Sequence, residues 1–239
     1  MAFIVFSAAI LTIAYKAEVR YFLMGAFEEP VDLRKDYSIH GIDVSRYQGN
    51  INWNGVGSYR SNGKQIKFAF IKASEGATRK DPYFKRNWRK AKEVNLIRGA
   101  YHYYLPYIHP TQQASNFIEQ VSLKSNDLPP VVDLEEFNGE NVVEFRKNVK
   151  LFLEKITNHY GMRPVLYTNP LFYENYLRNH FDDYPLWVAH YRTHYKPRIS
   201  RDWHFWQYTE KGRIKGISYF VDINVFNGEM EDLKKLLVP

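Results

Sequence analysis

The chain reads as an α/β protein built on an irregular TIM-like β/α barrel of about eight strands. Three observations predict this. Eight short β-prone runs recur between residues 39 and 226, apolar helical stripes separate the earlier runs, and acidic residues fall at or near the ends of three of them. Eight strands close a small parallel barrel whose interior side chains can fill.

The β-prone runs are 39–44, 67–72, 96–104, 130–135, 164–168, 186–190, 204–208 and 219–226. Between the early ones, Asp81-Pro82 reads as an N-cap followed by proline at the first helical position. Phe84, Trp88 and Ala91 then share one face. A second helix over 111–123 carries Ala114, Phe117, Ile118 and Val121 in the same register. The strongest stripe is Val142, Phe145, Val149, Phe152 and Ile156, closed by Gly161 and Pro164. A shorter helix is expected over 170–178. Residues 190–203 and 208–219 are polar and rich in Lys, Arg, Gly and Tyr, with no apolar stripe. Helices should therefore surround the first strands, and loops or hairpins should join the last three.

Length and composition set the remaining bounds. The 239 residues suit one large domain, and 45% hydrophobic residues exclude a disordered chain. Two parts are expected: a hydrophobic leader and linker over 1–37, and a catalytic domain over 38–239. Residues 2–15 are continuously apolar or small. That length suits a signal-peptide core better than a membrane span of roughly 20 residues. Export is the expectation (periplasmic, cell-envelope or secreted), with membrane anchoring through residues 2–15 as the alternative. Cysteine is absent, which rules out disulfides and thiolate metal sites. The net charge of +7 favours an anionic partner. No dense basic run, phosphate loop or zinc spacing points to nucleic acid, and anionic cell-wall polymers fit at least as well. Aromatic residues make up 17%, with 19 Tyr and 5 Trp, more than core filling requires, and a sugar-binding cleft would use the surplus.

The chemistry concentrates in Pro129-Pro130-Val131-Val132-Asp133-Leu134-Glu135-Glu136. Asp133 and Glu135 are two apart on a strand, so they face the same way. Neighbouring carboxyls raise each other's pKa, and one can stay protonated as a general acid while the other carries charge. Asp43 and Asp222 lie in similar apolar runs, and a buried acid needs a partner or a polar cavity. Barrel active sites form at the carboxyl ends of the strands, so Asp43, Asp133, Glu135 and Asp222 are expected to converge. His102 reads as a hydrogen-bonded interior histidine, since no second metal ligand stands at a suitable spacing. Neither metal nor cofactor is expected.

Seven pieces in order carry a family resemblance. They are Gly41-Ile42-Asp43-Val44-Ser45-Arg46-Tyr47-Gln48-Gly49 with Ile51-Asn52-Trp53, then Phe70-Ile71-Lys72-Ala73-Ser74-Glu75-Gly76, then Gly99-Ala100-Tyr101-His102-Tyr103. Asp133-Leu134-Glu135, Leu186-Trp187-Val188-Ala189-His190-Tyr191, Phe205-Trp206-Gln207-Tyr208-Thr209 and Val221-Asp222-Ile223-Asn224-Val225-Phe226-Asn227-Gly228 follow. Over roughly 38–235 the chain resembles glycoside hydrolase family 25, the N-acetylmuramidase type of lysozyme. Arg46 stands where the family often has His, and Ser74 where Thr is common.

The resemblance implies hydrolysis of the β-1,4 bond between N-acetylmuramic acid and N-acetylglucosamine in peptidoglycan. Glu135 would protonate the leaving oxygen and then act as base, with its own pKa raised by neighbouring acids. Asp133 would stay charged and stabilise the positive charge developing on the sugar. Because both acids sit on one strand, attack by the substrate's own acetamido oxygen is more natural than attack by Asp133. Asp43 and Asp222 would complete an acidic floor. Tyr103, Tyr167, Trp187 and Gln207 are candidates for the cleft wall, and Glu75 either contacts sugar or pairs with Lys72. The partner expected is a peptidoglycan strand, not nucleic acid, bound by a monomer. The rival readings are a non-catalytic cell-wall binding module, a glycanase acting on another N-acetylated polymer, and a basic nucleic-acid-binding protein.

Overall fold

Among the described residues ten strands form one sheet system, and eight of them close on themselves. The computed structural model describes residues 33–139, 141–191 and 193–239, so residues 1–32 of the leader and linker expected over 1–37 lie outside the described residues. The strands are β1 (Ile39–Val44), β2 (Arg60–Ser61), β3 (Lys64–Glu75), β4 (Arg79–Lys80), β5 (Ile97–Tyr103), β6 (Val131–Asp133), β7 (Val165–Thr168), β8 (Leu186–Ala189), β9 (Phe205–Gly212) and β10 (Val221–Phe226). The barrel runs β1-β10-β9-β8-β7-β6-β5-β3 and closes through a parallel β1–β3 pairing. All eight expected strands are present. The two additions, β2 and β4, are two-residue arms on the ends of β3.

The barrel is mixed, not parallel throughout. β10 runs antiparallel to both β9 and β1 because only a short loop joins it to β9. A parallel return would need a crossover of a dozen or more residues. The β8–β9 connection is such a crossover, and it contains no helix among its described residues. Helices flank the earlier strands: α1 (Trp53–Ser58), α2 (Phe84–Glu93), α3 (Pro110–Gln120), α4 (Val142–Tyr160) and α5 (Pro170–Phe172), with α6 (Met230–Leu236) at the end. The fifth continues as a π turn over Tyr173–Leu177. Asp81 does not cap α2 from the expected position. The helix begins at Phe84, and the Asp81 carboxylate instead accepts from the Tyr83 and Arg46 amides.

Two cores follow from the strand alternation. Ile39, Phe68, Phe70, Val131, Val165, Trp187, Phe205 and Phe226 fill the barrel interior. Ile42, Val44, Ile71, Val132, Leu166, Val188, Trp206 and Val225 point outward, against α2 to α5 and the loops. Gly41 and Gly99 face inward for a steric reason. A Cβ at Gly41 would lie 2.3 Å from the Phe68 ring, and one at Gly99 would lie 2.5 Å from the Phe70 ring. Rings fill the volume that those glycines vacate. Much of the aromatic surplus is therefore interior, exemplified by Phe70 stacked on Trp187 at 4.3 Å.

Where the last connections supply no helix, the N-terminal segment covers β9. Leu33 is fully buried, and the Tyr37 ring meets Trp206 edge-on at 5.9 Å. The Arg34 guanidinium lies 4.9 Å from the Trp206 ring. Residues 33–37, expected in the linker, thus pack as part of the barrel.

Candidate active site

The inward alternation that builds the apolar interior ends in a polar layer at one mouth. Asp43, Lys72, Tyr103, Asp133, Tyr167 and Gln207 each stand two residues beyond an inward-facing interior residue of their strand: Gly41, Phe70, Tyr101, Val131, Val165 and Phe205. This is the carboxyl end of the parallel strands. Asp222 reaches the same mouth by the opposite route. It is the second residue of antiparallel β10 and pairs in register with Asp43. Its convergence comes from strand reversal, not from a carboxyl-terminal position.

Asp43 is the best-held acid. Its Oδ2 accepts from Gln207 Nε2 at 2.7 Å and from Asn224 Nδ2 at 2.8 Å. Burial raises it to about 6, although the hydrogen bonds from Asn224, Gln207 and Asp222 favour the charged form. Asp222 is pushed up to about 9 by burial and then by the Asp43 charge. The pair therefore holds a proton on Asp222, donated to Asp43, through neutral pH.

Asp133 ends β6 almost fully buried, and its Oδ1 has no hydrogen-bond partner among the described residues. Burial, and then the Glu135 charge, drives its pKa well up. This runs against the expectation that Asp133 stays charged, because a desolvated carboxylate with one unsatisfied oxygen favours its neutral form. Glu135 lies just past the strand. Leu134 between them points into the outer core, so the alternation carries Glu135 back to the mouth. Its side chain reaches solvent, yet protein encloses it on several sides. That desolvation, and then the Asp43 charge, raises its pKa, while the nearby Tyr167 hydroxyl and the Lys72 charge pull it partly back.

The other expected site residues divide. Trp187 is interior, not wall: it is 2% exposed and donates from Nε1 to Asn224 Oδ1 at 2.7 Å. Gln207 is equally buried and spends its amide on Asp43, while its Oε1 accepts from Tyr167 at 2.8 Å and Tyr191 at 2.5 Å. Trp187 lies beneath the acids, because inward residues of a closed eight-stranded barrel stack in layers and only the last meets the cleft, whereas Gln207 shares the acids' layer but turns its polar groups to other side chains. Tyr103 stands on the rim and donates to Glu136 at 2.6 Å. Glu75 pairs with Lys72 at 2.9 Å and with Arg79. His102 faces outward, with Nδ1 2.8 Å from Ser74 Oγ. Asn224 and Tyr191 were not singled out as site residues. Asn224 is two residues beyond Asp222, so strand periodicity alone places both on one face.

A family model described as glycosyl hydrolases family 25 matches residues 42–217, from β1 to the loop before β10. The chain belongs to glycosyl hydrolase family 25. It is similar to the protein YegX of Escherichia coli (strain K12), with 43% identity over 198 residues covering 83% of this chain and 73% of that one. Lysozyme M1 of Streptomyces globisporus is 34% identical, covering 83% and 71%. A family 25 glycosyl hydrolase from Bacillus anthracis superposes with a TM-score of 0.77 at 32% identity, covering 87% of this chain and 97% of that chain.

For this family 25 glycoside hydrolase, the shared protons give a stability signature. Asp43 and Asp222 both have raised folded pKa values, so folding favours their protonated forms. Their contribution is complete below about pH 4 and is lost as pH rises through about 6 and then about 9. Stability should fall across that window, by at most about 1.4 kcal/mol per pH unit for each proton, and thermal midpoints should fall with it. Asp222→Asn keeps the shape and removes one titration. Melts from pH 4 to pH 9 should show a flatter dependence for the variant and a higher midpoint than the parent near pH 8. Parallel curves for the two proteins would refute the assignment.

Proposed function

We propose that the enzyme is a muramidase, cutting the β-1,4 bond between N-acetylmuramic acid and N-acetylglucosamine, with Glu135 as general acid and base. Membership of family 25 and similarity to lysozymes support peptidoglycan as the substrate. The observation that carries the residue roles is the contrast at the end of β6. Glu135 reaches solvent with a raised pKa, whereas Asp133 lies buried beside it with Oδ1 unpartnered.

A proton donor needs a raised pKa and must reach the leaving oxygen, and Glu135 has its pKa raised by burial and the Asp43 charge while its side chain reaches solvent. Asp133 Oδ1 is free to accept from a substrate N–H, which would orient an acetamido group for attack by its own carbonyl oxygen. As positive charge develops on the sugar, the neighbouring field lowers the Asp133 pKa, so its carboxylate form is stabilised more in the transition state than in the ground state. Asp43 and Asp222 form the acidic floor, with Gln207 and Asn224 orienting Asp43. Tyr103 contributes a hydroxyl at the rim, and Tyr167, buried below it, holds Gln207. Substrate assistance departs from the usual carboxylate pair and predicts retained configuration.

Action on wall polymer is consistent with export, for which the leader expected over residues 1–37 would serve. Among the described residues no helix is long and apolar enough to cross a membrane.

End-group analysis tests the bond assignment. Purified peptidoglycan digested with the full chain, reduced with borohydride and read by mass spectrometry should yield reduced muramic-acid ends. Reduced glucosamine ends would reassign the bond, and an absence of new ends on several wall types would overturn the reading.

A further inference from the structure

An acidic cleft is an awkward receptor for a substrate that carries anions of its own. Asp43, Asp133, Glu135 and Asp222 line the mouth, and peptidoglycan bears stem peptides whose carboxylates recur on every muramic acid. Those carboxylates need a cationic surface beside the cleft and away from its floor. One side of the mouth supplies it.

The 3₁₀ turn Arg46–Gln48 follows β1 directly, held by a capping box between Ser45 and Gln48. Gln48 Nε2 also donates to the Phe220 carbonyl at 3.0 Å, which ties the turn to the entry of β10. Beside it β4 folds back on the end of β3, pairing Ser74 with Lys80 and Glu75 with Arg79. The Arg46 amide donates to Asp81 Oδ2 at 2.8 Å, joining the turn to that hairpin. A small recess between them is lined by Arg46, Lys72, Glu75, Arg79, Lys80 and Asp81.

The acids in this group are already engaged. Glu75 is shared by Lys72 and Arg79, and the Asp81 carboxylate accepts from two backbone amides. Arg46 is exposed and donates to the Tyr47 hydroxyl, and no carboxylate pairs with its guanidinium among the described residues. The side chains of Arg79 and Lys80 are 63% and 45% exposed. Lys80 also pairs with Glu119 at 3.2 Å, so four cations face three acids and Arg46 supplies the surplus positive charge on this rim beside the acidic floor.

We propose that Arg46, Arg79 and Lys80 form a subsite for the carboxylates of the stem peptide, making the enzyme selective for peptide-bearing glycan over bare glycan. The proposal rests on the muramidase reading for its substrate. Arg46 is also where the chain departs from the histidine common in the family. Guanidinium groups recognise carboxylates in a fixed bidentate geometry that imidazole lacks.

The test compares the parent with an Arg46→Gln, Arg79→Gln, Lys80→Gln triple variant on two substrates. One is peptidoglycan freed of phosphate-containing polymers, and the other is the same material stripped of stem peptides by an amidase. At low salt the variant should lose roughly tenfold in kcat/KM on stem-bearing glycan and less than about twofold on stripped glycan. Raising the salt should shrink the difference, since exposed charges are screened within about a Debye length. Equal losses on both substrates, or no loss on either, would overturn the subsite. Cosedimentation with the two insoluble substrates reads the rim without turnover. There the parent should bind stem-bearing wall more tightly than the variant does, and identical binding would sink the proposal. A parent that binds selectively but releases no ends would instead count against the muramidase reading. Arg46→Gln alone, which changes one exposed side chain, serves if the triple variant folds poorly, and it should show the same substrate-selective direction.

Discussion

Replacing Glu135 by Gln is expected to lower hydrolysis of peptidoglycan by roughly two to four powers of ten, with little change in thermal midpoint. The two halves of this result have separate causes. The amide cannot give up a proton to the leaving oxygen, so the loss should fall on kcat more than on KM. Glu135 reaches solvent past the end of β6 and anchors no packing, so the fold has little to lose. The neighbouring acids should also feel the change. Glu135 is the second cause of the raised Asp133 pKa, and removing its charge should bring Asp133 down. Initial rates of reducing-end release, with a melt of each protein, decide the matter. Activity within tenfold of the parent would remove Glu135 from the role.

The largest stability effect is expected far from the cleft. Arg98 on the outer face of β5 donates to Asp127 from Nε at 2.7 Å and from Nη2 at 3.2 Å, and both side chains are nearly sealed from solvent. The same guanidinium donates to the Trp88 carbonyl and lies 4.1 Å from the Trp88 ring, while Asp127 also accepts from the Lys124 amide. One ion pair thus fastens the barrel to α2 and to the loop leading into β6. Asp127→Ala leaves a buried guanidinium without its counter-charge and should cost about 3–5 kcal/mol. For a domain of this size that is a drop of about 10 °C or more in midpoint. A combined Arg98→Met and Asp127→Leu protein should recover much of the loss, because two apolar side chains remove the unpaired charge along with its partner. A fall of less than about 3 °C for the single variant would show that water reaches this pair.

Much of the barrel was legible as alternation. The apolar runs at Ile39–Val44, Val165–Thr168 and Leu186–Ala189 match their strands closely, because strands buried on both faces are short, continuous and β-branched or aromatic. The stripe from Val142 to Ile156 gave α4, and Gly161 ends it with a positive φ of 70°. Two short helices escaped notice for local reasons. α1 contains Gly55 and Gly57, and α6 buries only Leu233, so neither shows an apolar stripe. The direction of β10 was equally hidden, since an isolated strand reads the same whichever way it pairs.

The candidate site divides along the same line. Sequence alone placed Asp43, Asp133, Glu135 and Asp222 at strand ends, and their motifs in order identified the family, because covalent spacing and period-two alternation are local properties. Depth in the barrel is not local. Trp187 and Gln207 stand on strands like the acids, yet they lie one layer down or turn their polar groups toward other protein atoms. Which acid holds a proton is also a tertiary matter. Asp222 meets Asp43 only because β10 reverses, and Asp133 is pushed toward neutrality only because the closed barrel shuts water away from it. The chain therefore determined which carboxylates gather at the mouth, and the closed fold decided which are buried, which are exposed and where the proton rests. The reason is that desolvation and Coulomb energy depend on how far charges lie from water and from one another, and residue spacing does not fix those distances until the barrel closes.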